Sequence, residues 1–304
     1  MQISSNGIHL EVADDGPTGG ETVLLVMGLG MQLIAWPDLL VRDLVRRGFR
    51  VLRLDNRDAG LSTSFDSAGI PSLVSATLRY ALRRPVPSAY TLADMARDAV
   101  GVLDALGLAR AHVCGASMGG MIAQHLAASH PERVSTLTLL MTSSGARHLP
   151  QPRAPVRRLL MRRLPAHAPR DAIVSHLERI WLAIASPAYP PDRDHLRRRL
   201  VATVDRAWRP AGTARQLVAI AADGERPALL RRVSAPTHVM HGQADPLIPV
   251  EAAIDLHERI AGSTLDIVPG MGHDLPDALM PRLAAAIADL AVRGTSPHTP
   301  PHKP

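Results

Sequence analysis

A serine flanked by glycines is the residue of this chain best suited to act as a nucleophile. Ser117 lies in the stretch VCGASMGGMI, residues 113–122, between an apolar run and a helix-like segment. A nucleophilic serine on a strand-to-helix turn needs small residues two positions before and after it, because larger side chains would clash with the neighbouring backbone. Gly115 and Gly119 occupy those positions. Since Gly-x-Ser-x-Gly also occurs by chance, its meaning depends on partners elsewhere in the chain.

Two further residues are candidates for the partners that Ser117 would need. A serine hydroxyl is a weak nucleophile unless a base removes its proton and an acid orients that base. Asp245, in HGQADPLIP, and His273, in VPGMGHDLP, each follow a predicted strand, although an Asp-Pro turn and a polar loop histidine would also explain them. Their order after Ser117 and their place at strand ends favour a triad, with Ser117 as nucleophile, Asp245 as acid and His273 as base.

Two backbone amides are candidates for an oxyanion hole, the pair of donors that stabilises charge on an attacked carbonyl oxygen. The N–H of Met118 lies at the start of the predicted helix after Ser117, where the helix dipole also favours negative charge. The second donor should come from the loop after an early strand. We assign it to the N–H of Leu29, in the glycine-rich loop VMGLGM.

Other acidic and histidine residues offer alternative sites. Asp55 and Asp58, in DNRDAG, could also supply the acid, but they precede Ser117 and we interpret them as groups that order a loop. Asp274 is adjacent to His273 and is poorly placed to orient its imidazole. His241 and Asp245 have the spacing of metal ligands on a helix, but His241 ends a strand, so the two would not share a helical face. We predict no metal site and no cofactor.

The elements around these residues indicate an α/β fold with a mostly parallel central sheet flanked by helices. Short apolar runs predict strands, the first of them a half-exposed edge strand, at GIHLEVAD, TVLLVMG, FRVLRLD, ARAHVCGAS, STLTLLMTSS, PTHVMHG and STLDIVPG. Helical periodicity predicts helices at WPDLLVRDLVRRG, YTLADMARDAVGVLDALG with Thr91 as N-cap, MGGMIAQHLAASH, VEAAIDLHERIAG and about 276 to 292. The triad residues would all lie at the carboxyl edge of this sheet.

The pattern changes after residue 145, where prolines, arginines and helical stretches replace buried strands. The segments RAPVRRLLMRRLP and DRDHLRRRLVATVDRAW have the periodicity of amphipathic helices with arginine-rich outer faces, which we interpret as solvated rather than bound to a membrane. We predict an α/β core of residues 1–145 and 225–294, an inserted helical lid of residues 146–224 and a mobile tail of residues 295–304.

Composition narrows the classes of partner. The chain has 304 residues, 46% of them hydrophobic, which is enough for a substantial core. The net charge of +6 suggests nucleic-acid binding, but the basic residues are spread along the chain and aromatic residues make up only 3%. We therefore expect no nucleic-acid partner.

The amino-terminal segment lacks a signal-peptide pattern, so we expect a cytoplasmic protein without stable membrane insertion. The oligomeric state stays open.

Several quoted stretches together resemble the α/β-hydrolase superfamily across nearly the whole chain: MGLG, NRDAGLS, GASMGG, HGQADPLIP and GMGHDLP. With the pair Trp36-Pro37, they are most similar to the serine esterase branch that includes aclacinomycin methylesterase. The resemblance implies the same triad of Ser117, Asp245 and His273. It also implies an oxyanion hole built from the amides of Leu29 and Met118. The sequence departs from the family at Met27, where many members have histidine, although backbone donors do not depend on that side chain.

The function expected from these residues is hydrolysis of a carboxylic ester of a small or medium-sized hydrophobic substrate. The reaction would pass through an acyl-enzyme, with water as the second reactant and no cofactor. Carbon–carbon bond, lactone or thioester hydrolysis on the same triad and a non-catalytic ligand-binding protein of the same fold remain alternatives. Ser117 argues against epoxide hydrolases and haloalkane dehalogenases, which use aspartate at the nucleophile position.

Overall fold

An eight-stranded sheet forms the centre of the computed structural model, which describes residues 1–160, 164 and 168–295. In space the strands follow the order β1-β2-β4-β3-β5-β6-β7-β8. Their bounds are β1 (Gln2–Ser5), β2 (Ile8–Asp15), β3 (Thr22–Val26), β4 (Arg50–Leu54), β5 (Ala111–Ala116), β6 (Val134–Leu140), β7 (Thr237–Gly242) and β8 (Thr264–Val268).

The strands from β4 to β8 are all parallel, and β2 alone runs in the opposite direction, antiparallel to both of its neighbours, β1 and β4. All five residues of β3 are buried, as expected for a parallel strand with helices on both faces. The predicted α/β fold with a mostly parallel sheet is therefore confirmed.

The edge strand was predicted in the wrong place. Leu10 and Val12 of β2 are buried and alternate with more exposed residues, but β1 pairs along the outer side of β2 and forms the edge instead. A two-residue turn, Asn6-Gly7, joins the two strands with positive φ at both positions (49° and 77°). Asn-Gly is the pair that such tight hairpin turns favour, so β1 is specified by its turn rather than by apolar alternation.

Helices cover both faces of the sheet. On one face α3, α4 and α10 pack on alternating strand residues such as Leu24 and Val113, and on the other face α1 and α11 pack on Leu25 and Cys114. The helices are α1 (Asp38–Arg46), α2 (Leu73–Ala81), α3 (Leu92–Ala105), α4 (Met118–Ser129), α5 (Ala154–Leu160), α6 (Arg170–Ile184), α7 (Arg193–Arg206), α8 (Pro210–Asp223), α9 (Pro227–Leu230), α10 (Glu251–Arg259) and α11 (Met280–Thr295).

Helix α3 begins as its sequence predicts. Thr91 is the N-cap, and its side chain accepts a hydrogen bond from the amide of Asp94 at 3.1 Å. The Asp94 carboxylate in turn accepts from the Thr91 amide at 2.7 Å, which completes a capping box. Helix α2, in contrast, was not identified from the sequence.

The regular secondary structure described between β6 and β7 consists of the helices α5 to α9. Helices α6 and α7 pack together around Val174, Leu196 and Leu200. Part of the predicted segment RAPVRRLLMRRLP lies outside the described residues, as does the predicted tail from residue 296 onward. The division into core, lid and tail stays a prediction. Within the described part of the chain, every helix is too short or too polar to cross a membrane.

A buried ion pair fastens the loop after β4 to α3. The guanidinium of Arg57 donates two hydrogen bonds to the carboxylate of Asp98, at 2.7 and 2.6 Å. The two side chains are only 5% and 1% exposed. Removing one partner of such a pair leaves the other charge buried without compensation, which is more costly than removing both.

We therefore expect Arg57→Met to lower the free energy of unfolding by about 3–5 kcal/mol, as measured by urea denaturation. The double variant Arg57→Met/Asp98→Leu should recover part of that loss, because it removes the stranded carboxylate. Arg46→Met, which affects an ion pair whose arginine is 69% exposed, should cost less than about 1 kcal/mol. If the single and double variants lost the same free energy of unfolding, the buried Arg57–Asp98 pair would not be the source of the stability.

Candidate active site

Ser117 occupies a strained turn between β5 and α4. Its φ of 54° and ψ of −120° are unusual for a residue with a side chain, and they direct the chain from the strand straight into the helix. Two hydrogen bonds hold the turn: the Ser117 amide donates to the carbonyl of Leu140 at 2.9 Å, and the Thr142 hydroxyl donates to the carbonyl of Ser117 at 2.7 Å. The serine thus lies at the carboxyl edge of the sheet, as its sequence context predicts.

The glycines around Ser117 are required by backbone crowding. A Cβ atom on Gly115 would lie 2.3 Å from the carbonyl oxygen of Gly119, and one on Gly119 would lie 2.0 Å from the carbonyl oxygen of Val26. Both distances are far below van der Waals contact. The steric reason for small residues at these two positions, inferred from the sequence, is present in the structure.

Asp245 and His273 meet at the same edge of the sheet. They lie in the loops after β7 and β8, and His273 Nδ1 is 2.7 Å from Asp245 Oδ2. The other carboxylate oxygen accepts hydrogen bonds from the amides of Leu247 and Ile248, both at 2.8 Å. Because an ionised carboxylate only accepts, Nδ1 of His273 is the donor in this bond, and in a neutral imidazole Nε2 would then be an acceptor.

The surroundings of Asp245 favour its charged form. Burial by itself would raise the pKa of this carboxyl, but the neighbouring His273 and His241 rings outweigh that effect and lower the pKa below its ordinary value. Asp245 is therefore an anion in the folded protein, and it can stabilise positive charge on His273.

His241 is a second histidine beside Asp245, and the sequence did not reveal its role. Its side chain is fully buried, and its Nε2 lies 2.8 Å from the carbonyl oxygen of Ile248 and 3.4 Å from Asp245 Oδ2. It supports the loop whose amides bind Asp245. Sequence reasoning considered His241 only as a metal ligand. In the described part of the chain, no group of three or more His, Cys, Asp or Glu residues could hold a metal ion.

A segment between α6 and α7 clamps the loop of His273. The amide of His273 donates to the carbonyl of Ile184 at 2.8 Å, and the amide of Gly272 donates to the Ser186 hydroxyl at 2.8 Å. Both the amide and the hydroxyl of Ser186 donate to the Asp274 carboxylate. Burial raises the pKa of Asp274. As the sequence indicated, Asp274 does not orient the imidazole, and it anchors the loop instead.

The two earlier aspartates order loops rather than pair with His273. Asp55 accepts hydrogen bonds from the amides of Leu33 and Leu61, at 2.6 and 2.9 Å. Asp58 accepts from the Phe65 amide and the Tyr90 hydroxyl, both at 2.8 Å. Neither carboxylate is hydrogen-bonded to the imidazole, so Asp245 is the acidic side chain that the structure brings to His273.

Ser117 and His273 open onto one cavity of about 1200 Å³ with a mostly apolar lining. Helices α6, α7 and α8 contribute much of that lining. Two tryptophans take part, Trp181 on α6 and Trp208 in the link between α7 and α8. Met27, where the resemblance leads one to expect histidine, also lines it. No hydrogen bond joins Ser117 Oγ to His273 within the described residues. Such bonds are often long before substrate binds.

The two predicted oxyanion donors also line this cavity. Among the described residues, neither the amide of Leu29 nor that of Met118 is hydrogen-bonded to another group. A Cβ atom on Gly28 would lie 3.6 Å from Ser117 Oγ, so the loop of Leu29 passes next to the serine. The amide of Gly30 donates to Gln216 Oε1 at 2.7 Å and ties this loop to α8.

Comparison with known proteins gives one family match and several relatives of similar length. A family profile described as the alpha/beta hydrolase fold matches residues 21–277. Rhodomycin D methylesterase DauP of Streptomyces sp. (strain C5) is 29% identical over 94% of this chain and 95% of its own length. The putative carbamate hydrolase RutD of Variovorax paradoxus (strain S110) is also 29% identical, over 96% of this chain and 99% of its own length.

Among solved structures, a meta-cleavage product hydrolase of Pseudomonas fluorescens IP01 superimposes with a TM-score of 0.74. The match covers 97% of this chain and 98% of the other, at 17% sequence identity. At that identity the likeness concerns the fold alone. It extends over the helices between β6 and β7 as well as over the sheet.

The crowding around Ser117 makes a direct prediction for stability. Gly115→Ala should lower the free energy of unfolding by about 1–3 kcal/mol or more, because its new methyl group meets backbone that cannot yield. Gly19→Ala is the matched control, since a Cβ atom there would have no neighbour within 4 Å. Urea denaturation of both variants tests this. A Gly115→Ala variant as stable as the control would show that the turn relaxes easily.

Proposed function

This chain belongs to the α/β-hydrolase fold family, and we propose that it hydrolyses a carboxylic ester through an acyl-enzyme on Ser117. Membership rests on a family match that covers residues 21–277, and it confirms the resemblance seen in the sequence. One observation carries the proposal. Ser117, on its strained turn, shares a cavity with His273, whose Nδ1 is bonded to the buried Asp245 carboxylate.

The proposed reaction begins with proton transfer from the Ser117 hydroxyl to Nε2 of His273 while Oγ attacks the ester carbonyl carbon. The carbonyl oxygen becomes an oxyanion that accepts hydrogen bonds from the amides of Leu29 and Met118. The alcohol then leaves with the proton held by His273. In the second half, His273 takes a proton from water and the resulting hydroxide attacks the acyl-enzyme. His273 then returns that proton to Ser117 Oγ as the carboxylic acid is released. Asp245 balances the charge on His273 in both halves.

The choice of an ester as the substrate is supported by the relatives. Rhodomycin D methylesterase, as its name states, acts on an ester, and its similarity spans almost the whole of both chains. The carbamate hydrolase has the same identity to this chain, and a carbamate also presents a carbonyl carbon to a nucleophile. The mostly apolar cavity lining supports a small or medium-sized hydrophobic substrate.

The nucleophile can be tested without knowing the substrate. A fluorophosphonate probe should label the native protein, and Ser117→Ala should abolish labelling, because the probe reacts only with an activated serine. Ser67→Ala changes an exposed serine far along the chain from the triad and should label like the wild type. Absence of labelling in folded wild-type protein would favour a ligand-binding protein without catalysis.

The bond that is cleaved can be tested with a panel of substrates. We expect turnover of p-nitrophenyl esters of graded acyl length, with kcat reduced about ten-thousandfold or more in Ser117→Ala. A dienoic diketone, a lactone and a thioester belong in the same panel, because the same triad can attack their carbonyl groups. Turnover of the diketone alone would overturn the ester proposal and leave the nucleophile in place.

A further inference from the structure

Exposed apolar side chains recur along helix α2 and next to both of its ends, and we call this set the α2 stripe. Its members are Ile70, Val74, Leu78 and Leu82, spaced four residues apart and 72%, 80%, 58% and 55% exposed. A single exposed aliphatic side chain needs no explanation. Four at a regular spacing, with Val74 and Leu78 on α2, Ile70 shortly before it and Leu82 directly after it, indicate an interaction surface.

Packing among the residues that the structure describes does not account for the stripe. Helix α2 rests against α8 through the side that carries Leu73, Ala76 and Tyr80, which are buried or half-buried. At about 100° per residue, Val74 and Leu78 lie on the opposite side of the helix. The helix is therefore apolar on both sides, whereas a surface helix ordinarily turns a polar side outward.

The stripe is continuous with the opening of the cavity. Ile70, its first member, also lines the cavity that holds Ser117. Three other exposed apolar side chains do the same: Leu160, Trp208 and Leu217, which are 44%, 37% and 40% exposed. Side chains that are both exposed and part of the lining lie at the mouth. Exposed apolar surface is thus concentrated around the route that a substrate takes to the serine.

The stripe has a basic border. Arg79, Arg83 and Arg84, which we call the α2 arginines, are all exposed. None of them forms an ion pair with a described carboxylate, and the guanidinium of Arg79 donates only to the carbonyl of Pro85, at 3.2 Å. Three positive charges without a described ion-pair partner therefore lie on α2 or directly after it, on the same segment as the stripe.

The α2 stripe and the α2 arginines together disfavour a second copy of the chain as the partner. A two-fold dimer through the stripe would place the α2 arginines of both copies in the same interface, and it would cover the mouth of the cavity. An anionic lipid surface fits both features, because apolar side chains enter the boundary between headgroups and acyl chains while arginines remain at the negatively charged headgroups.

We propose that the α2 stripe and the α2 arginines dock the protein on anionic lipid surfaces, with the mouth of the cavity facing the bilayer. An apolar substrate dissolved in the lipid then reaches Ser117 without crossing water. The contact is peripheral and agrees with the expected lack of stable membrane insertion. Docking does not depend on the proposed ester hydrolysis, whereas the delivery of substrate rests on it.

Vesicle flotation tests the docking. Wild-type protein should float with phosphatidylcholine vesicles that contain phosphatidylglycerol and bind pure phosphatidylcholine at least about tenfold more weakly. Val74→Glu/Leu78→Glu should weaken binding to the anionic vesicles about tenfold or more. Arg83→Glu/Arg84→Glu should abolish the preference for anionic lipid. No vesicle binding by the wild type, or equal binding by the Val74/Leu78 variant, would overturn the proposal.

Matched controls place the same changes elsewhere on the surface. Ile254→Glu adds a charge at an exposed apolar residue of α10, and Arg231→Glu/Arg232→Glu reverses two exposed arginines before the amino end of β7. Both should bind vesicles like the wild type. Loss of binding in these controls equal to that in the α2 variants would show general electrostatic attraction and would also overturn the proposal.

Activity and size measurements complete the test. Val74→Glu/Leu78→Glu should hydrolyse a water-soluble p-nitrophenyl ester like the wild type, but should hydrolyse a long-chain ester in anionic vesicles about tenfold more slowly.

Size-exclusion chromatography that shows a wild-type dimer and a monomeric variant would instead assign the stripe to a second copy and overturn the proposal. Vesicle binding that follows the α2 pattern without hydrolysis of either ester would support docking and refute the proposed function alone.

Discussion

Close approach between the backbones of three elements is the constraint from which the site follows. The first turn of α4 lies so near β3 and β5 that a single Cβ atom at Gly119 would reach 2.0 Å from the Val26 carbonyl oxygen. That approach forces the chain to reverse at Ser117 in a conformation that side chains rarely adopt. Ser117 consequently lies just beyond the end of β5, and the next residue, Met118, begins helix α4.

Buried polar contacts then fix the other groups relative to that turn. The Asp245 carboxylate is held by two backbone amides and by the imidazole of His273, and His241 supports the same loop from the opposite side. Loss of one of these contacts would leave a buried polar group unpaired. The loops that carry them follow directly from the neighbouring strands β7 and β8.

The sequence predicted the features that depend on local chemistry. Continuous apolar runs indicate buried parallel strands. The glycines around Ser117 indicate a tight turn, because only small residues fit where the backbones approach closely. Strand β1 was missed because its polar residues are ordered by pairing with β2, and α2 was missed because its amphipathic pattern is interrupted by a second apolar side. His241 was missed as a support because contact with Asp245 arises from the turn between them, which periodicity does not describe.

Hydrogen bonds attach the helices between β6 and β7 to loops at the sheet edge. These bonds limit which helical segments of related proteins could replace this one. Ser186 binds the loop of His273, and Gln216 binds the loop of Leu29, so the segment between β6 and β7 is bonded to two loops that line the cavity of Ser117. This segment is therefore not an independently exchangeable unit. A helical segment grafted from another protein would have to bring a hydroxyl and a carboxamide to the same two places, or the chimaera would lose alignment at the serine while keeping its sheet intact.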